Sequence, residues 1–365
     1  MKKHIYFLLP VFTYGAGQSI KRIVVGLDKQ KYNKNIICLG KCQFKDELIK
    51  KGVNVYEINK TKLLYAISNI KKILSENTSN EKILISNIHY ANVLSLIFFS
   101  KIQNLKIIVN ERTAIKELDI YFGVFDFIKK KIIKLLIIFF YKRSTKVITN
   151  SSKSSKDLEN IINFKVQTIF SPSYLEKKIK NKNKNKNKKN KQKVFLVVSR
   201  LAKEKNIFFL IDAINLIREK NFILKIIGDG DQKQKLISYV NKLKLEKKIK
   251  FLNFKSNTDK YFSESDLFIN TSFFEGFPNS VVESISNNVP VLCSKSHGGI
   301  HDIIKNDTYG NLFDINKPEN LSSLILSYFK NKKNFLKKMK KAKNNLKKFS
   351  IKKCVKDYEN ILNQL

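Results

Sequence analysis

The sequence predicts an α/β protein of two domains, each a mostly parallel sheet covered by helices. Two observations carry that reading. Short apolar runs alternate with helical patterns in two separate series, and a polar Lys/Asn run divides one series from the other. The length of 365 residues fits, since ordinary domains hold ~150 residues each. The expected layout is an N-terminal domain over 1–175, a linker over 176–193, a C-terminal domain over 194–345 and a closing helix over 346–365.

The first series opens at 4–9, whose apolar run stops at Pro10 and so reads as a buried strand entering a Gly-containing turn rather than as a leader peptide. Strands follow at 35–39, 82–86, 106–110 and 146–149, with helical patterns at Ser19–Leu27 and Leu63–Leu74 between them. The second series runs through "VFLVVSR" (194–200), "ILKIIGDG" (223–230), "KIKFLNF" (248–254), "DLFINTS" (266–272) and "VPVLCS" (289–294). Between them "KNKNKNKNKKNKQK" (180–193) has no apolar residue and cannot build a core. It reads as a solvated linker, with a polybasic arm for lipid or nucleic acid as the alternative. The two domains are expected to face a central cleft, with ligands at the carboxyl ends of the strands.

Composition narrows the function. Lys and Arg total 71 against 30 acids, a formal charge of +41, which favours anionic partners such as phosphorylated small molecules, anionic lipid or nucleic acid. Lys, Asn and Ile are inflated together, as a coding bias would produce. Arg stands only at 22, 112, 143, 200 and 218, so each Arg draws attention as a planar fork for phosphate. Four cysteines are too sparse to staple the chain and read as free thiols of a reducing compartment. The apolar stretch "KKKIIKLLIIFFY" (129–141) is too short to span a bilayer and carries Lys134 inside. No nucleophile elbow, phosphate-binding P-loop or nucleic-acid motif is present.

Several residues could carry chemistry. The turn Tyr14-Gly15-Ala16-Gly17 before a helical pattern either offers amides to a phosphate or is a bare strand-to-helix turn. Arg200 and Lys205, where the chain leaves a strand, could hold a diphosphate and neutralise a leaving group. In "SFFEGFPNSVVESI" (272–285), Gly276 permits close backbone approach and Pro278 helps to start a helix whose N–H groups would face the cleft. Glu275 and Glu283 flank that turn. Glu283 could accept sugar or ribose hydroxyls, yet Ser280-x-x-Glu283 also spells a capping box, and the cap is the reading favoured by the residues alone. Asp229-Gly230-Asp231 fits turn chemistry better than a metal site. Cys293, His297 and His301 are spaced like ligands on one helix, but Gly298 and Gly299 break that helix. His89, just past a strand end, could donate a hydrogen bond to substrate or serve the structure.

Taken together, "VVSRLAKEKN", "LKIIGDG", "SDLFINTSFFEGFPNSVVESISNNVPVLCS" and "GGIHDII" resemble, in order and spacing, the family-4 retaining glycosyltransferases. The E-x7-E element from Glu275 to Glu283 is the most specific mark. "YGAG", "NERT" (110–113) and "TNSSKSSKDL" (149–158) resemble the family's N-terminal motifs, although Ala16 and Gly17 stand where a Gly pair followed by an acid is common. The resemblance implies two Rossmann-like domains in the GT-B architecture, with the closing helix returning toward the N-terminal domain. It implies that Arg200 and Lys205 bind the donor diphosphate, that Glu275 lies near the donor sugar and that Glu283 bonds the ribose. The backbone of Gly276, Phe277, Pro278, Asn279 and Ser280 would hold phosphate or sugar hydroxyls, and Gly15 would lie near the diphosphate.

No cofactor and no metal are expected on this reading. The partners expected are a nucleotide-sugar donor, a glycan or lipid-linked acceptor and an anionic membrane surface, with no specific nucleic acid. The expected place is the cytoplasm, peripheral on the inner face of the membrane, where "KKKIIKLLIIFFYKRSTK" (129–146) would be a buried helix beside a basic cluster. A nucleotide-sugar 2-epimerase on the same architecture and a polybasic nucleic-acid-binding protein are the rival readings.

Overall fold

A computed structural model describes residues 2–12, 15–76, 81–175 and 192–365. The chain divides into two compact units, Met1–Ser173 with Lys348–Leu365, and Tyr174–Lys347. Of the expected linker, 176–191 lies outside the described residues, and Lys193 already belongs to a strand.

The first unit runs β1 (Lys3–Leu8), α1 (Ala16–Gly26), β2 (Tyr32–Cys38), α2 (Lys45–Lys50), β3 (Val53–Glu57), α3 (Ile67–Ser75), β4 (Lys82–Asn87), α4 (His89–Phe98), β5 (Leu105–Glu111), α5 (Val124–Phe140), β6 (Lys146–Thr149), α6 (Ser152–Ile162) and β7 (Val166–Thr168). Its seven strands are all parallel in the order β3-β2-β1-β4-β5-β6-β7. Side chains of a strand point alternately to opposite faces, and β1 feeds two cores accordingly. Ile5 and Phe7 face one core, and Tyr6 and Leu8 face the other. Such strands, covered on both faces, read as continuous apolar runs.

The second unit runs β8 (Lys193–Val198), α7 (Ile207–Asn215), β9 (Phe222–Ile227), α8 (Lys233–Lys242), β10 (Ile249–Phe251), α9 (Asp259–Glu264), β11 (Leu267–Asn270), β12 (Phe274–Glu275), α10 (Asn279–Ser286), β13 (Val291–Ser294), β14 (His297–Gly298), α11 (Ile300–Ile304), β15 (Asn311–Phe313), α12 (Pro318–Lys330) and α13 (Lys332–Asn344). Six parallel strands take the order β10-β9-β8-β11-β13-β15, and β12 pairs with β14 apart from them. The chain then closes with α14 (Ile351–Asn363), which belongs to the first unit and sends Val355, Tyr358, Ile361 and Leu362 into the core shared with α1 and β1.

Both sheets reverse strand order once, between β1 and β4 in one unit and between β8 and β11 in the other. At such a reversal the two following connections leave toward opposite faces and open a crevice at the strand carboxyl ends. The turn with Gly15 follows β1 and His89 follows β4, whereas Arg200 and Lys205 follow β8 and Glu275 follows β11. No helix of the described residues is long and apolar enough to cross a membrane.

Helix α5 corrects one expectation. Its inner face, Ile133 and Ile137, is buried, but Phe125, Ile128, Ile132, Leu135 and Phe139 form an outward stripe in which Phe125 is 89% exposed. Their spacing of three and four residues keeps all five on one side of a helix. The segment is therefore a half-buried helix with a bare apolar face.

Candidate active site

The loop after β8 is shaped by contact with the loop after β9. A Cβ on Gly228, whose φ is 152°, would fall 1.8 Å from the carbonyl oxygen of Ser199, so only glycine admits this approach. The amide of Leu201 donates to the Asp229 carbonyl at 2.8 Å, and the Gln232 amide donates to the Leu201 carbonyl at 3.0 Å. Asp229 accepts from the Gly230 amide at 2.9 Å and pairs with Lys233 at 3.4 Å, which makes the Asp-Gly-Asp sequence part of this clasp. The described residues hold no cluster of three or more His, Cys, Asp or Glu arranged to take a metal ion.

From that clasp the chain enters a short turn over Lys203–Lys205 and reaches Asn206 in the left-handed region at φ 52°, a conformation Asn tolerates better than most residues. The turn is stitched to the loop after β11. The Phe273 amide donates to the Glu204 carbonyl at 2.9 Å, and the Thr271 hydroxyl donates to the Lys205 carbonyl at 2.7 Å. Lys205 Nζ then meets Glu275 Oε1 at 2.7 Å.

Glu275 is the centre of the arrangement. Its Oε1 also accepts from the Ser272 hydroxyl at 2.6 Å and from Asn270 Nδ2 at 3.3 Å. Oε2 takes no bond from the protein and is not sealed from solvent, with the side chain 13% exposed. Burial alone would raise the carboxyl pKa, but the Lys205 ammonium and the three hydrogen bonds outweigh it and hold the group below its ordinary value. Glu275 is thus a carboxylate held ionised by one oxygen, with the other presented outward.

The backbone below it is equally fixed. The Gly299 amide donates to the carbonyls of Glu275 at 3.2 Å and Gly276 at 3.0 Å. A Cβ on Gly299 would lie 2.7 Å from the Gly276 oxygen, so the Gly pair that ruled out a metal-binding helix here permits close backbone packing instead. Gly276, Phe277 and Pro278 are buried, and α10 begins directly after them. The first turn of a helix lacks intrahelical acceptors and carries the positive end of its dipole.

Two expectations, the capping box and the role of His89, need correction, and Arg200 and Lys205 are each paired within the protein. Pro278 is the N-cap of α10 and no side chain caps the helix, so Ser280 lies inside it and the Ser280–Glu283 capping box does not form. Glu283 is the fifth helical residue, beyond the first turn. Arg200 and Lys205 do not share one point in this structure: Lys205 is committed to Glu275, while Arg200, 71% exposed, pairs with Glu204. His89 offers no ring nitrogen to a substrate. It is 4% exposed, its Nδ1 meets Glu111 Oε2 at 2.6 Å and its Nε2 meets the Thr113 hydroxyl at 3.0 Å.

The His89 network fills the carboxyl ends of β4 and β5. Glu111 Oε2 also accepts from Tyr141 at 2.8 Å and Asn92 at 3.4 Å, and Oε1 accepts from the amides of Arg112 and Thr113 and from the Thr113 hydroxyl. Burial works against the charged forms, yet each partner holds the other ionised: His89 is raised above 6.5 and Glu111 is depressed below 4.5. Ile88, just before His89, is a β-branched residue at φ 70°, a strained conformation that this packing keeps in place. Gly15 is the N-cap of α1 at φ 72° and is exposed, while Tyr14 lies outside the described residues. Sequence reasoning missed Asn270 and Ser272, the residues that fix Glu275. Their signal was the polar "NTS" closing an apolar strand.

Comparison with known proteins agrees with this fold. Residues 178–349 match the family model described as glycosyl transferases group 1. An uncharacterized glycosyltransferase of Methanocaldococcus jannaschii is 31% identical over 184 residues, which span 48% of this chain and 45% of that protein. The N-acetylgalactosamine-N,N'-diacetylbacillosaminyl-diphospho-undecaprenol 4-alpha-N-acetylgalactosaminyltransferase of Campylobacter jejuni is 25% identical, over 76% of this chain and 74% of its own. The crystal structure of Anabaena HepE in complex with UDP-glucose superposes with a TM-score of 0.79 at 18% identity, covering 99% of this chain and 100% of that one. The last likeness shows the fold, two doubly wound parallel sheets of the GT-B type. Over residues 178–349 the chain is similar to the group 1 glycosyl transferases, and its fold is of the GT-B type.

Proposed function

We propose that the protein is a retaining hexosyltransferase that moves a sugar from a nucleotide-diphosphate sugar to a growing cell-surface or lipid-linked glycan. The observation that carries this reading is Glu275, ionised through Lys205, Ser272 and Asn270 and open at Oε2, at the strand reversal of the second sheet. An oriented carboxylate there can accept hydroxyls of the donor sugar and fix the ring while the bond to phosphate breaks. Lys205 has a second use: once a diphosphate arrives, its ammonium can share charge with the leaving phosphate as negative charge develops. Arg200, solvent-exposed beside it, needs only to leave Glu204 to take a phosphate oxygen. Glu283 is assigned to the ribose, and the start of α10, with the backbone of Gly276–Ser280, to phosphate or sugar oxygens.

A UDP-sugar donor is supported by the UDP-glucose in the HepE structure, and a lipid-linked acceptor by the name of the Campylobacter relative. The acceptor reading gives α5 a purpose. Its bare stripe is edged by Lys129, Lys131 and Lys134, with Arg143 beyond its end, and suits the interface of an anionic membrane inside the cell, where the apolar face enters the headgroup boundary.

The deciding experiment is a thermal-shift panel of UDP- and GDP-sugars on wild type and Glu283→Ala at moderate salt. One nucleotide sugar stabilising wild type and not the variant is the expected result. Equal stabilisation of both proteins by every polyanion would sink the reading, since plain charge requires no Glu283. Release of free sugar and nucleotide without an acceptor would favour the epimerase.

A further inference from the structure

Arg112, the first residue after β5, is a largely buried cation whose side chain makes no hydrogen bond or ion pair among the described residues. It is 8% exposed, and its Nε is sealed from solvent without a hydrogen-bond partner. Its sequence neighbour Glu111 favours the charge electrostatically but gives it no hydrogen bond, because both oxygens are spent on His89, Tyr141, Asn92, Thr113 and the Arg112 amide. The other groups that face the guanidinium, Tyr358 and Cys354 on α14, are each pushed up to about 12 by burial and stay neutral. A core seldom leaves a cation without a hydrogen-bonded partner, since burying one in that state is costly. In a chain that uses Lys almost everywhere else, Arg here also keeps the planar fork that matches two phosphate oxygens.

A second orphan stands next to it. Asn150, the first residue after β6, donates Nδ2 to the Arg112 carbonyl at 3.0 Å, while its Oδ1 is buried and unpartnered. The parallel pairing of Glu111 with Thr149 brings these two strand ends side by side. One needs an acceptor and the other a donor, a combination that a phosphate oxygen beside a sugar hydroxyl would complete. We propose that Arg112 and Asn150, within the first unit, form a subsite for a phosphoryl group carried by a sugar substrate. The acceptor's phosphate is the assigned source. That assignment rests on the transferase reading, whereas the anion subsite itself does not.

The test uses inorganic pyrophosphate as probe on the full chain, in an Arg200→Ala, Lys205→Ala background that removes the donor-side cations. Thermal shift at about 0.15 M salt suppresses weak surface attraction, which a Debye length of about 8 Å screens. With Arg112 present, saturable stabilisation is expected. Arg112→Gln should weaken half-saturation roughly 10- to 100-fold, as loss of a charge-assisted hydrogen bond does, without lowering the melting temperature of the unliganded protein. Arg112→Lys keeps the charge without the fork and should fall between.

A drop in unliganded melting temperature for Arg112→Gln with the pyrophosphate response intact would overturn the proposal and make Arg112 a structural, water-satisfied group. Should Arg112→Gln fail to fold, an Arg112→Lys response equal to that of Arg112 would overturn it too. With a polyprenyl diphosphate-linked sugar as acceptor, a raised acceptor KM at constant donor KM assigns the phosphate to the acceptor. The reverse split assigns it to the donor. Failure of transfer with the pyrophosphate response preserved would reject the transferase reading and leave the subsite standing.

Discussion

Glu111 and Glu275 are both carboxylates near strand ends, both held ionised against burial by a cation at short range, and they do different work. Glu111 has both oxygens filled by side chains and amides of its own unit. Glu275 takes every bond through Oε1 and leaves Oε2 outward. A carboxylate with no remaining lone pair to offer is a joint of the fold. One fastened by a single oxygen is positioned and still has bonding capacity for a ligand. The same distinction separates His89, whose two nitrogens are engaged, from Lys205, whose ammonium can be shared with an incoming anion.

Substitution tests that contrast directly. Glu275→Gln keeps the shape but weakens the hold of Lys205 and the hydrogen bonding to the donor sugar. We expect kcat to fall by about 10²-fold or more, the scale of a positioned acid–base or electrostatic group, with little change in melting temperature. Glu111→Ala should invert the pattern, removing roughly 3–5 kcal/mol from the first unit by stranding His89 as a buried, unpaired group. If Glu111→Ala instead abolished turnover with unfolding unchanged, the division between joint and site would be wrong.

The pH dependence sharpens the same contrast with a smaller effect. His89 is raised above 6.5, so its contribution is complete below that value and is lost as pH climbs through the folded pKa. Glu111 is depressed below 4.5, so its contribution holds above 4.5 and is lost as pH falls through the folded value. Melting temperature of the first unit should therefore be highest between about pH 4.5 and 6.5 and decline toward alkaline pH. In His89→Gln the alkaline decline should flatten. An unchanged slope would place the titrating group elsewhere.

The smallest effect on stability is expected on α5. Phe125→Ser with Phe139→Ser should change unfolding free energy by no more than about 0.5 kcal/mol each, as exposed positions do. The same pair should abolish co-sedimentation with anionic vesicles. Persistent vesicle binding by the double variant would move the membrane contact to another lysine-rich surface. A wild type that dimerises through this stripe would replace the lipid with a second copy of the chain.

The sequence made the long buried strands legible because each is a continuous apolar run, as in "HIYFLL" and "VFLVV". It did not reveal β3, β7 or β15, which are short edge or near-edge strands with half-exposed side chains, nor β12 and β14, two residues each, too short for any periodicity to register. Glu275, Lys205 and Arg200 stood out because the family pattern fixes their spacing. The use of His89 was hidden, since it depends on the register that sets Asn87 beside Asn110 and so carries His89 to Glu111. Glu283 was misread as a cap because one residue decides between capping and interior positions, and Pro278 took the cap two residues early.

The first unit is written in two pieces, with the whole of the second unit between them. Emerging from a ribosome, β1 and α1 would wait for Tyr358, Ile361 and Leu362 before the core they share is closed. Residues Tyr174–Lys347 can complete their sheet and helices before that. The half of the protein made first is therefore the half finished last. Until the final turns of α14 arrive, its apolar surface is open to chaperones and proteases.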